Sequence, residues 1–336
     1  MGQEVWNLHV SGNLPMKALF IITRTNEMHK HFESFKCLDP ANDVKLYTYN
    51  HVMEQPDWPS GAKLDEEIYN SAKDYKPDLI VYVGAANGNT PTAVGFNRLR
   101  REIAPTVHFC SDAADEPWWK FLQEFDEEKS FTAQVALDGN KNWPLAHKEI
   151  TALTPLDPSH FPNPPIPHKN RPTVFGFAGN PGSVSKLKDG RVVGRRPLVA
   201  QMIQFGLQHR ARTRCRGDID SSVSSYKEAA TYMANTRIMP NFAQTGSFER
   251  MHVKGRVVEA GWAGCLLLEP KGSPTPDWFE PGVDYLQYDD MEQAKGFVDK
   301  YRNDHEGSQA FGLRLRAKVE AEHSPQKFWG RIFARL

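Results

Sequence analysis

Lys254, Gly255 and Arg256 open an amphipathic stretch, VKGRVVEAGWAG, just after a loop that carries Thr245 and Gly246. A helix start exposes unpaired N–H groups and a partial positive charge, and Lys and Arg beside it suit a diphosphate. Glu259 lies a turn further along the same helix, where a carboxylate can accept hydrogen bonds from a ribose diol. The same letters also describe an exposed basic helix start with an ordinary surface glutamate. A second phosphate-compatible feature is the turn GNPGS, at Gly179, Asn180 and the residues after them, which follows the strand pattern TVFGFAG. Backbone amides at such a turn can approach a phosphate. It is neither G-x-G-x-x-G nor Walker A, so a plain turn stays open as its reading.

For proton transfer, Asp112 is the main candidate base, since it follows the strand PTVHFCS at its carboxyl end. His29 and Asp115 are secondary candidates, and a helix cap is the alternative role for Asp112. Trp118 and Trp119 have the chemistry to stack on a sugar or base, or to bury a helix against a sheet. Asp218 and Asp220 have the letters of a D-x-D metal motif but follow TRCRG in a segment that reads as a loop, so no metal site is expected. Arg191, Arg195, Arg196, Arg210, Arg212, Arg214 and Arg216 concentrate positive charge in the second half of the chain. They could face a diphosphate, form a solvated rim or track a nucleic-acid backbone.

These residues need a scaffold. KALFIIT, VKLYTY, DLIVYVG, PTVHFCSD and FTAQVAL read as strands, with helical patterns between them at MHKHFESFKCL, AKLDEEIYNSAKDY, Thr92–Glu102 and from Glu116. Near-continuous apolar strands alternating with helices predict a parallel sheet covered on both faces. Pro155, Pro158, Pro162, Pro164, Pro165, Pro167 and Pro172 then interrupt the pattern, which reads as a semi-rigid linker, or alternatively a long loop. Beyond them the alternation restarts: TVFGFAG, a helix over Arg196–Leu207, a strand near Thr213–Arg216, a helix over Tyr226–Asn235, RIMPNF, the Lys254 helix, CLLLEP and DYLQYDD. A mostly helical tail runs from Met291. The expected organisation is an extension over 1–16, an α/β domain over 17–156, a linker over 157–172 and a second α/β domain over 173–336. Two such domains are expected to hold a ligand in a cleft between them.

The chain's 336 residues carry 41 Lys+Arg against 41 Asp+Glu, which argues against a polycationic nucleic-acid packager or an acidic tail protein. Apolar residues make up 40%, too many for a disordered chain. Cys37, Cys110, Cys215 and Cys265 are widely spaced with no C-x-x-C pair, as in a reduced protein. The start, MGQEVWNLHVSGNLP, lacks the basic and apolar regions of a signal peptide, so a cytoplasmic location is expected. No apolar run is long enough to span a bilayer.

The segments KGRVVEAGWAGCLLLEP and WFEPGVDYLQYDDMEQA resemble the C-terminal half of group 1 glycosyltransferases of the spore-maturation (CgeB-like) type. The likeness extends through FGFAGNPGS, Arg195 or Arg196, and YKEAATYMANTRIMPNF, and more loosely into KPDLIVYVG and PTVHFCSDAADEPWW. It implies a GT-B architecture, with two Rossmann-like domains, an acceptor bound by the first and a nucleoside-diphosphate sugar by the second. A UDP-sugar is the favoured donor, with no bound metal or other cofactor. By this resemblance Glu259 holds the donor ribose. Lys254, Arg256 and Arg195 or Arg196 lie near the diphosphate, and Gly179 and Asn180 lie beneath it. One departure is Met251, which stands where related retaining enzymes carry a glutamate eight positions before the ribose glutamate. The acceptor class is left open among saccharide, lipid-linked, protein and hydroxymethylated DNA acceptors. A non-catalytic two-domain ligand-binding protein is the alternative from outside the enzyme class.

Overall fold

The computed structural model describes residues 15–23, 29–49, 61–84, 90–111, 118–139, 141, 150–179, 184–186, 192–211, 226–245 and 250–336. They fall into two compact units. The first comprises residues up to Asp138, Asn142–Asp157 and Pro325–Leu336; the second comprises Gly139–Lys141 and Pro158–Ser324.

The first unit begins with β1 (Lys17–Thr23), α1 (His29–Lys36), β2 (Asp43–Tyr49), α2 (Gly61–Tyr75) and β3 (Leu79–Val83). It continues through α3 (Ala93–Glu102), β4 (Thr106–Cys110), α4 (Trp118–Glu127), β5 (Ala133–Ala136) and the short β6 (Ile150–Thr151). Its sheet has the order β2-β1-β3-β4-β5-β6 and every pairing is parallel. β3, β4 and β5 are buried along their whole length; β3 is accordingly an unbroken apolar run, while β4 and β5 bury the polar Thr106, His108 and Gln134 among their apolar residues. Leu19, Ile21, Ile80 and Tyr82 face a layer made by Leu64, Ile68, Phe96 and Leu99 of α2 and α3. The alternate residues Phe20, Ile22, Val81 and Val107 face Phe35 and, from the far end of the chain, Phe328, Trp329 and Ile332. α3 starts where Thr92 Oγ1 accepts from Gly95 N and donates to Asp65, which ties its cap to α2.

The second unit holds β7 (Thr173–Gly179), β8 (Val184–Lys186), β9 (Val192–Gly194), α5 (Arg195–Gln204), β10 (Gln208–Ala211) and α6 (Tyr226–Ala234). Next come β11 (Thr236–Pro240), α7 (Gly255–Ala263), β12 (Leu266–Pro270), β13 (Leu286–Tyr288), α8 (Met291–Tyr301) and α9 (His305–Glu322). The last helix, α10 (Pro325–Phe333), belongs to the first unit. The second sheet is parallel throughout, in the order β10-β7-β11-β12-β13. β8 and β9 form a small antiparallel hairpin of their own.

Three features differ from the sequence reading, and one expected strand is not tested. The strand expected near Thr213–Arg216 lies outside the described residues, and the strand beside β7 is β10, at Gln208–Ala211. β10 lies at the sheet edge, where a strand needs no apolar run, so QHRA carries no strand signal. The β8–β9 hairpin and β6 are too short to show a period. The proline-rich segment is grouped with the second unit from Pro158 onward, and His168 and Arg171 within it are buried. Finally, α10 was expected in the second domain and packs in the first. Its stripe of Phe328, Trp329 and Ile332 marks it as buried, but an apolar stripe does not say which core receives it.

Candidate functional site

The carboxyl end of β7 and the start of α7 bring Gly179, Arg256 and Glu259 together in the second unit. β7 ends at Gly179, where a Cβ would come within 2.8 Å of the Phe177 ring and 3.4 Å of Arg256 Nη2. The bare backbone allows that approach. The Gly179 carbonyl accepts from His209 Nε2 at 3.0 Å, and the His209 ring stacks on Phe177. His209 was not singled out from the sequence, since it sits in the unremarkable edge strand β10.

After β11, residues 243–245 pair antiparallel with residues 250–252. His252 N donates to Ala243 O and Thr245 N to Arg250 O, each at 2.9 Å, and Gln244 bridges to Met251. Thr245 is buried. Lys254 follows as the N-cap of α7 in an extended conformation (φ −73°, ψ 153°), with no side-chain cap bond. The first turn of α7, at Gly255 and Arg256, therefore presents its N–H groups without a side-chain cap from Lys254.

Arg256 turns into the protein. Its Nη1 lies 3.2 Å from Glu259 Oε2, and the two side chains are only 10% and 5% exposed. Nη2 donates to the carbonyl of Ala178, Nη1 lies 2.7 Å from Met233 Sδ, and the guanidinium sits 5.2 Å from the Phe177 ring centroid. Arg256 thus ties the end of β7 to α7 and holds the Glu259 carboxylate in a fixed place. Glu259 is buried in the middle of α7, so the surface-glutamate reading does not describe it. The pairing has the i,i+3 geometry of one helical face.

The opposite end of α7 is held by three donors from elsewhere in the unit. Arg316 Nη1 on α9 donates to Trp262 O at 3.0 Å, Arg171 Nη2 to Ala263 O at 2.8 Å and His168 Nε2 to Gly264 O at 2.8 Å. Three successive carbonyls that a helix leaves unpaired are thereby satisfied, two of them by cations that complement the negative helix end. Gly264 itself adopts φ 65°, the left-handed conformation of a C-terminal glycine. Burial pushes the His168 imidazole down to about 4, and Arg171 beside it acts in the same direction. His168 is therefore neutral, with Nε2 as donor and Nδ1 paired to Ser308 Oγ at 2.8 Å. Nothing in the local sequence around His168, Arg171 or Arg316 signals this role. The three come from two segments remote from α7 in the chain.

Arg195 and Arg196 open α5, with Arg195 half-buried and Arg196 exposed. Asn180, Gly246, Asp112 and Asp115 lie outside the described residues, as do Arg191, Arg212, Arg214, Arg216, Asp218 and Asp220. His29 is the first residue of α1 and Trp118 and Trp119 open α4, where only their backbone is described. Among the described residues, no group of three or more His, Cys, Asp and Glu could hold a metal ion. No helix formed by them is long and apolar enough to cross a membrane.

Residues 195–334 match the family described as glycosyl transferase-like. No protein of curated function matches the sequence. Among solved structures, the chain is similar to HepE from Anabaena in complex with UDP-glucose, at 12% identity and TM-score 0.57, covering 96% of this chain and 100% of that one. It is also similar to sucrose-phosphate synthase from Thermosynechococcus elongatus (10% identity, TM-score 0.58, 95% and 98% covered). A glycosyltransferase from Rickettsia africae is a third (11% identity, TM-score 0.55, 96% and 98% covered). The chain has the GT-B fold, and its residues 195–334 resemble the glycosyl transferase-like family.

Proposed function

We propose that this protein transfers a sugar from a nucleoside-diphosphate donor to an acceptor hydroxyl, as a group 1 glycosyltransferase of the spore-maturation type. The observation that carries the reading is the meeting of the end of β7, at Ala178 and Gly179, with the start of α7 at the buried Arg256–Glu259 pair. A carboxylate held by a guanidinium is ready to accept both hydroxyls of a ribose, and a fixed acceptor loses little freedom on binding. The uncapped first turn of α7, with Lys254 at its N-cap and Arg195 and Arg196 at the start of α5, supplies positive charge for the leaving diphosphate. Charge of this kind stabilises the departing group without a metal ion. The structure of HepE with UDP-glucose supports a UDP-sugar as the donor.

In the first unit, Asp112 follows the carboxyl end of β4 and takes the role of base toward the acceptor hydroxyl, with His29 at the start of α1 as the second candidate. General-base removal lowers turnover by about 10²–10⁴-fold, so Asp112→Asn is expected to depress kcat on that scale while leaving nucleotide affinity in place. The primary test is calorimetry with UDP, GDP and ADP, followed by an assay of nucleotide release from the matching sugar donor with and without EDTA. Binding of one nucleotide and EDTA-insensitive release are expected. Failure of the wild-type protein to bind any of the three would overturn the proposal.

A further inference from the structure

Arg171 stands at the end of the proline-rich segment, just before β7, and is 4% exposed. Its guanidinium donates to neutral acceptors from three parts of the second unit. Nε reaches Ile166 O at 2.8 Å, Nη1 reaches Thr236 O at 2.7 Å and Cys265 Sγ at 3.5 Å, and Nη2 reaches Ala263 O at 2.8 Å. Among the described residues no carboxylate pairs with it; the ionisable groups that act on it are the buried Cys265 and Arg316. Burial pushes the pKa of Arg171 down, yet a guanidinium stays charged throughout the neutral range.

A positive charge in a dry place without a carboxylate is costly, and hydrogen bonding alone does not require it. In the same cap, the carbonyl of Gly264 is satisfied by His168, a neutral donor. The other buried guanidinium groups at α7 are offset: Arg256 by Glu259 at 3.2 Å, and Arg316 by Glu320 at 2.6 Å. Arg171 therefore sets an unbalanced charge on the negative end of α7, the helix whose first turn is assigned to the diphosphate. At 1.5 Å per residue the two ends lie about 12 Å apart. The residues between them, Val257 to Ala263, are all buried. The field between the ends thus runs through protein rather than water, where dielectric and salt weaken it less.

We propose that Arg171 is a positioning residue for the donor: it holds the carboxyl end of α7 and, through the helix, adds its unbalanced charge to the field that holds the diphosphate at the first turn. This rests on the donor site assigned above. Cation and helix act in one direction, because a cation at the negative end leaves the positive end less offset. The attraction scales with the charge of the ligand. It is largest for a nucleoside diphosphate, smaller for a monophosphate and absent for a nucleoside. Damage to the shape of α7 would instead weaken all three alike, which separates the electrostatic role from a structural one.

The test is calorimetry of wild type, Arg171→Lys and Arg171→Gln with whichever of UDP, GDP and ADP binds wild type. The matching monophosphate and nucleoside are measured by competition, and each protein is also melted. Arg171→Lys keeps the charge and loses part of the hydrogen bonding, so it is expected to melt lower while keeping diphosphate affinity within about twofold. Arg171→Gln is expected to lose about tenfold for the diphosphate and less than about twofold for the nucleoside, with the monophosphate between. Equal losses for all three ligands, no loss for the diphosphate, or a loss in Arg171→Lys as large as in Arg171→Gln overturns the proposal. Should neither variant fold, Asn170→Asp decides, since it sets a carboxylate on the exposed turn next to Arg171. At low ionic strength it is expected to weaken diphosphate binding about twofold and to spare the nucleoside; unchanged diphosphate binding overturns the proposal. Failure of wild type to bind any nucleotide overturns the donor site and this proposal with it, whereas binding that ignores the charge at 171 overturns this proposal alone.

Discussion

At the residue scale, a charged group in this protein is defined by what its neighbours leave it free to do. Arg256 and Glu259 read equally well from the sequence as surface charges or as ligand contacts; the structure buries both in contact with one another. Removing one partner of a buried pair leaves the other uncompensated, typically at about 3–5 kcal/mol. Arg256→Ala is therefore expected to lower the melting temperature as well as nucleotide affinity. Glu259→Gln keeps the shape and a hydrogen-bonding oxygen, and should lose affinity with a smaller stability cost. Calorimetry paired with thermal unfolding separates the two effects. Glu269, buried on β12, gives a stability prediction with a definite sign. Its acid form persists in the folded state to about 7, above the ordinary 4.5, so the folded protein binds more protons than the unfolded chain between those values. Stability from this group is full below about 4.5 and falls as pH rises through 7. Glu269→Gln should then be more stable than wild type at pH 8, by up to about 3 kcal/mol, with the difference vanishing near pH 4. Chemical denaturation at the two pH values measures it.

At the scale of elements, α7 is the element on which the proposed donor site depends, and its position is set from both ends. Arg171, His168 and Arg316 hold its last carbonyls, while α9 approaches it so closely that a Cβ on Gly312 would fall 2.2 Å from Gly264 O. Gly261 on α7 faces Val319 in the same contact. Because the obstacle at Gly312 is backbone, it cannot swing aside. Gly312→Ala is expected to cost about 1–3 kcal/mol by forcing the helices apart, and to weaken nucleotide binding through the displaced α7. A melting curve and a binding isotherm on the same variant check this. Gly296→Ala on α8, where a Cβ meets open space, is the matched control and should leave stability unchanged or slightly raised.

At the scale of the whole molecule, the chain returns to its beginning. Trp329 is fully buried against Phe20, Phe35 and Phe109, with its Nε1 donating to Ser34 Oγ at 3.1 Å. Trp329→Ala is expected to cost about 3–5 kcal/mol. Deleting residues 325–336 should leave the first unit without one layer of its core, seen as loss of its cooperative unfolding transition and binding of a hydrophobic dye. What the sequence by itself determined is the local part: alternation of buried strands with helices in two halves, the start of α7 at Lys254 and its end at Gly264. Those features depend on period, capping and turn chemistry, which neighbouring residues express. Only the tertiary structure decided which core receives α10, that the proline-rich segment caps α7 through His168 and Arg171, that Arg256 turns inward, and that Glu269 lies dry on β12. Each of these depends on partners remote in the chain, and no local pattern of residues records which distant surface will exclude water from a side chain.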